Sequence, residues 1–140
     1  MAEHSFDQDT AVRRTGDLEF EAEIADRRWW VARGPNGGFV AAIVLRAMTE
    51  ALGEPGRPPR SFSIHYPSAP EVGQLAIAVT VERRGRSAAY LSARATQGNN
   101  VVALALAAFT TAFPGEDFQL ATMPDVQQPE EVASLIADFR

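Results

Sequence analysis

Between residues 17 and 24 the chain reads DLEFEAEI, with Leu18, Phe20, Ala22 and Ile24 alternating strictly against Asp17, Glu19, Glu21 and Glu23. A period of two sends alternate side chains to opposite sides of a pleated strand, so this stretch predicts a strand with one face in a core and an acidic face in water. RRWWVA continues as a short second strand, because Trp and Val suit a pleated surface. GPNGG then breaks the pattern. From Gly38 the period changes. FVAAIVLRAMTEAL runs about four turns without proline and confines its polar residues to Arg46, Thr49 and Glu50. It predicts a helix that is apolar nearly all round, buried over its first half and wetter toward its end.

Three prolines in GEPGRPPR prevent the helix from continuing and mark a turn-and-spacer segment. SFSIHY then sets Phe62, Ile64 and Tyr66 against Ser61, Ser63 and His65, and QLAIAVTVERR places Leu75, Ile77, Val79 and Val81 on one face. RGRS turns the chain, SAAYLSARAT alternates again, QGNN makes a second turn, and VVALALAAFTTAF is apolar on both faces. The alanines of that last run would suit a helix, but the turn residues before it and FTTAF at its end predict a strand. Four consecutive antiparallel strands therefore follow the helix. Residues 114–140 change character: PGEDFQLATMPDVQQP is linker-like, and PEEVASLIADF predicts a short helix with an apolar stripe of Val132, Leu135, Ile136 and Phe139. The domain expected from this layout is 1–113, with a tail over 114–140. No internal repeat is visible. The fold class is α+β: a curved antiparallel sheet of about six strands wrapped around one long central helix, which accounts for a helix with so little polar surface.

At 140 residues, 46% hydrophobic and 22% charged, the chain fits one globular domain able to bury a core without disulfides or structural metal. Apolar runs such as Phe39–Leu45 fall well short of the roughly 20 residues a membrane span needs. The start, MAEHSFDQDT, lacks the basic residues and apolar core of a secretory signal, so a cytoplasmic location is expected and no membrane partner. The absence of cysteine excludes thiolate nucleophiles and Cys-ligated zinc, and the absence of lysine excludes a Schiff base. Two histidines, one of them near the N-terminus, make no metal site. A net charge of −5 opposes nucleic-acid binding.

WWVARGPNGGFVAAIVLRAM, SFSIHYPSAPEVGQLAIAVTVERRGRSAAYLSARATQ and the closing ALAAFTTAF together resemble the N-terminal half of the acyl-CoA thioesterase II type, within the thioesterase-like hotdog superfamily. The resemblance spans roughly residues 6–113. It implies a hotdog fold, pairing of two hotdogs through their sheets as a homodimer or higher oligomer, and a pantetheine-and-acyl tunnel between them. The ligand it implies is an acyl-CoA or acyl-carrier-protein thioester, with no cofactor. Full-length relatives carry two hotdogs in tandem, with the catalytic Asp, Thr and Gln on the second, and no residue of this chain can be matched to them.

Thioester hydrolysis needs an activated water and donors that stabilise the oxyanion formed at the carbonyl. The first amides of a helix lack intrahelical partners and sit at the positive end of its dipole, and glycine leaves them bare. Gly37 and Gly38 are the oxyanion candidates; the plainer reading is a tight turn capped by Asn36. Asn36 can orient a water or the carbonyl but cannot abstract a proton. His65 can serve as base or hydrogen-bond the substrate, against the plainer role of a surface histidine. Arg83, Arg84 and Arg86 can hold the phosphates of coenzyme A, or simply solvate a hairpin end. Trp30 and Phe39 can line the acyl channel, or belong to the core. No acid lies in Phe39–Leu45, and Glu50 is about three turns on. That absence supports a second reading, a non-catalytic half or binding module of a tandem double-hotdog thioesterase.

Overall fold

The computed structural model describes residues 5–116 and 118–132. In chain order the elements are the helix α1 (Ser5–Asp9), the strands β1 (Arg13–Arg14), β2 (Glu19–Ile24), β3 (Trp30–Val31) and β4 (Gly34–Pro35), the helix α2 (Gly37–Leu52), and the strands β5 (Pro59–His65), β6 (Gly73–Arg84), β7 (Ala88–Gln97) and β8 (Asn100–Thr110). Six strands form one antiparallel sheet in the order β1-β2-β6-β7-β8-β5. The strands of this sheet that precede and follow α2 in sequence, β2 and β5, stand near its opposite edges. The helix must therefore cross its concave face to join them, and the sheet curves around it. This is the α+β hotdog arrangement expected from the sequence.

The core lies between that face and α2. Phe39, Val40, Ile43, Val44, Ala47, Met48 and Leu52 are buried along the whole helix, against Phe20 and Ile24 of β2, Leu75 and Ile77 of β6, Leu91 of β7 and Phe109 of β8. Burial thus divides α2 by side and not by half. The expected fading of burial toward its end is corrected, since Met48 and Leu52 are as deep as Phe39. The opposite side carries the half-exposed Ala41, Ala42, Leu45 and Arg46. It reads as apolar in sequence because alanine is small enough to stay in contact with water at little cost. Gly53 stops the helix in the left-handed region at φ 65°, where its N–H donates to the Thr49 carbonyl at 3.1 Å.

Two expectations change. RRWWVA is no strand of the main sheet: only Trp30 and Val31 extend, pairing with Pro35 and Gly34 in a two-residue ladder, and β1 takes the sixth place. The reason is that Trp29 turns out of the strand direction to stack on Phe39, with ring centroids 5.6 Å apart. Also, β5 starts inside the supposed spacer at Pro59, where an edge strand tolerates proline and the register slips before Ser61. α1, which no periodicity announced, docks on α2: Arg46 donates to the Asp7 carbonyl at 2.5 Å and to the Thr10 hydroxyl at 2.7 Å. Of the expected C-terminal helix, Pro129–Glu131 form a 3₁₀ turn; Leu135, Ile136 and Phe139 lie outside the described residues.

Candidate functional site

The start of α2 is built by Asn36. Its side-chain oxygen accepts from the Gly38 N–H at 2.7 Å, and its carbonyl accepts from the N–H groups of Phe39 at 3.0 Å and Val40 at 3.3 Å. The N–H of Gly37 is the one first-turn donor with no hydrogen-bond partner among the described residues. The expectation for Gly38 is corrected accordingly, because its amide is taken by the cap. Neither glycine has a positive φ, so the backbone does not demand glycine at either position. Tyr66 stands over this turn. Its hydroxyl donates to the Gly37 carbonyl at 2.6 Å, and a Cβ on Gly37 would lie 3.4 Å from its ring. Burial raises the pKa of this phenol above its ordinary 10.0, which keeps it a protonated donor.

A cleft of about 480 Å³ opens at this helix end, lined by Phe6, Arg28, Trp29, Trp30, Val31, Asn36, Gly38 and Phe39. Its wall is aromatic. Trp29 lies flat on Phe39 and takes the edge of Phe6 at 5.3 Å, while the Arg27 guanidinium sits 5.8 Å above the Trp30 ring. The indole N–H of Trp29 donates to Asp9 at 3.0 Å, and Arg28 pairs with the same carboxylate at 3.2 Å. Cationic groups and the positive end of a helix dipole thus surround an apolar recess. Such a site suits a polarised carbonyl with an apolar group attached. None of the lining residues is a carboxylate or an imidazole.

The remaining candidates fall elsewhere. Alternation along β5 turns Phe62 and Ile64 inward and leaves Ser63 and His65 exposed on the outer face of the sheet. His65 lines a separate cleft there with Ser92, Arg94 and Leu106, so within one subunit it does not meet Gly37 and Gly38. Tyr66, the next residue, does. Arg83, Arg84 and Arg86 are at the other end of α2, sixteen residues or about 24 Å away at 1.5 Å per residue. Arg84 donates there to the Leu52 carbonyl at 3.0 Å and pairs with Glu54 at 3.4 Å, which makes it a cap of the helix C-terminus. Its neighbour Arg57 pairs with Glu54 at 2.7 Å and donates to the carbonyls of Gly85 and Arg86. Sequence reasoning missed Tyr66, Phe6, Asp9 and Arg57. Tyr66 was visible as an inward-set residue just past a strand end, whereas a five-residue helix such as α1 leaves no pattern. Among the described residues no cluster of three or more His, Cys, Asp or Glu is placed to hold a metal ion, and no helix is long and apolar enough to cross a membrane.

Solved structures share this architecture. A hot dog fold protein from Alicyclobacillus acidocaldarius is 28% identical, with a TM-score of 0.79 over 94% of this chain and 49% of its own. An acyl-CoA thioesterase II from Mycobacterium marinum is 18% identical, with a TM-score of 0.76 over 90% of this chain and 45% of its own. A Bacillus halodurans protein solved with CoA is 16% identical, with a TM-score of 0.61 over 68% of this chain and 67% of its own. The chain spans about half the length of the first two. No curated protein matches it. The sequence model of the acyl-CoA thioesterase N-terminal domain matches residues 26–110, from just after β2 to the end of β8. With that match over more than half its length, and with the sheet wrapped around a helix whose first turn opens on a cleft, the chain belongs to the acyl-CoA thioesterase N-terminal domain family.

Proposed function

We propose that this chain binds acyl-CoA or acyl-carrier-protein thioesters at the start of α2 and contributes that site to a paired-hotdog acyl-CoA thioesterase. The observation that carries the reading is Gly37: its N–H, at the positive end of a sixteen-residue helix, has no partner among the described residues, and its neighbours Asn36 and Gly38 line a cleft walled by Trp29, Trp30 and Phe39. Glycine in a helix costs about 1 kcal/mol relative to alanine. With no positive φ to require it, the return on that cost is room for a carbonyl oxygen to reach the amide. In hydrolysis, water adds to the thioester carbon and the C=O electron pair moves onto oxygen, where the Gly37 N–H and the helix dipole stabilise it. The carbonyl then re-forms, the C–S bond breaks, and the pantetheine thiolate leaves and takes up a proton.

The attacking water must also lose a proton, and the cleft holds no group to receive it. That group comes from a paired hotdog in this reading. β5 supplies the surface for pairing, because it is an edge strand whose outer side no strand among the described residues covers. We place the hotdog domain at 1–113 and regard 114–140 as a connecting tail, in a cytoplasmic protein. A second reading is favoured by the same empty cleft floor and by the half-length match: the non-catalytic half of a tandem double hotdog.

Calorimetry with a non-hydrolysable acyl-CoA thioether, beside a thiol-release assay on acyl-CoA esters of increasing length, tests both. Binding weakened at least about ten-fold, or 1.4 kcal/mol, by Gly37→Val is expected. Failure of the wild-type chain to bind any acyl length overturns the site. Binding without thiol release selects the non-catalytic half; release selects the self-paired enzyme.

A further inference from the structure

A second cleft, of about 440 Å³, opens between α1 and the exposed side of α2, over Ala42, Leu45 and Thr49. Gly38, Ala42, Leu45 and Thr49 recur at the spacing of one helix face, so this cleft continues along α2 the line that the first cleft begins at Gly38. From Gly38 to Thr49 that line is about 16 Å long at 1.5 Å per residue. Among the described residues Phe6 alone lines both clefts, so its side chain is the partition between them.

The partition is held from both sides. Toward the first cleft, the edge of Phe6 meets Trp29, and Asp9 accepts from the Trp29 indole N–H and pairs with Arg28. Toward the second, Arg46 donates to the Asp7 carbonyl and the Thr10 hydroxyl, and that hydroxyl donates in turn to the Phe6 carbonyl at 2.7 Å. Thr10 is buried beneath α1, whereas Phe6 is 39% exposed and stands in the groove. The chemistry of the second cleft suits an uncharged apolar occupant. Arg46 and Thr10 bond to each other and to α1, and the Thr49 hydroxyl donates back to the Leu45 carbonyl at 2.8 Å. The Glu50 carboxylate, without a partner among the described residues, stands at the far end and repels an anion.

We propose that Phe6 sets the length limit for the acyl chain, by closing off a second cleft that would otherwise take a longer one. This rests on the thioester carbonyl lying at the start of α2. An unbranched alkyl group attached there fills the aromatic cleft and ends against Phe6; with the ring removed, it continues along the straight helix face over Ala42 and Leu45. Phe6 precedes residues 26–110, so the limit is imposed from outside the segment that the family shares.

Calorimetry with a homologous series of unbranched acyl-CoA thioethers tests this. Wild-type affinity should rise roughly four-fold for each methylene buried and level off at the length that reaches Phe6. In Phe6→Ala the rise should continue to longer chains. Adding Ala42→Phe, which refills the second cleft, should make it level off again. The readout is the length at which the rise stops, which a uniform loss of affinity does not move. Tryptophan emission reports whether α1 stays docked on Trp29; if alanine frees it, Phe6→Leu, which keeps an apolar contact, should shift the limit part of the way. A wild-type rise that never levels off, a limit unmoved by either Phe6 variant, or a double variant that keeps rising overturns the proposal. Absence of binding at every length removes the thioester site and this limit together, whereas binding with an unmoved limit removes the limit alone.

Discussion

Gly37 illustrates how a single position can be set by two opposing demands. Its backbone is compatible with alanine, and a Cβ there would touch the Tyr66 ring at 3.4 Å without serious overlap. Gly37→Ala should therefore raise stability to unfolding by up to about 1 kcal/mol in a denaturant titration. It should at the same time weaken acyl-CoA thioether binding in calorimetry; a variant that gains stability and loses no affinity would remove this amide from the site. Tyr66 adds a pH signature. Burial raises its pKa, so the protonated phenol is favoured in the folded chain. Its contribution is present in full below the ordinary 10.0 and is lost as pH rises through the higher folded value. Thermal melts should show a decline above that pH which is shallower in Tyr66→Phe. At this scale Asn36 was legible, since a capping residue before an apolar periodic run acts locally. Tyr66 was legible as an inward-set position, in line with Phe62 and Ile64 and opposite His65, but its contact with Gly37, 29 residues away, was not.

The element most readable in the sequence was α2, whose composition and caps predict it without help from its neighbours. The least readable were α1 and the hairpin of β3 and β4, too short for any period to show and held by contacts such as Trp29 on Phe39 and Arg46 on Asp7. At the C-terminal end of α2, Arg84 and Arg57 have structural partners. Arg84 is half-exposed, and its contact with the Leu52 carbonyl is worth under about 1 kcal/mol. The Arg57 side chain is 13% exposed and makes two carbonyl hydrogen bonds besides its ion pair with Glu54. Its loss should cost on the order of 2 kcal/mol. Urea titrations should thus rank Arg57→Ala well below Arg84→Ala in stability; the reverse order would show that the helix dipole, and not the tie between loops, dominates there. Arg57 escaped notice because its partners, Gly85 and Arg86, are 28 and 29 residues away.

For the molecule as a whole, every described residue from Ala112 to Gln128 is exposed, whereas the core closes at Phe109. Truncation after Phe113 should leave the melting temperature within experimental error, as expected if 114–140 is a connecting tail; a drop of several degrees would place part of that tail in the folding unit. Alternation and period, read along the chain, determined the existence of one amphipathic helix, the strands that follow it and a sheet able to enclose it, because these patterns record which side of each element must leave water. Tertiary structure alone decided the strand order, the turning of Trp29 out of a strand, and the separation of Gly37, His65 and Arg84 to three different regions. Those outcomes depend on which elements become neighbours, and contacts between residues far apart in sequence leave no periodic trace.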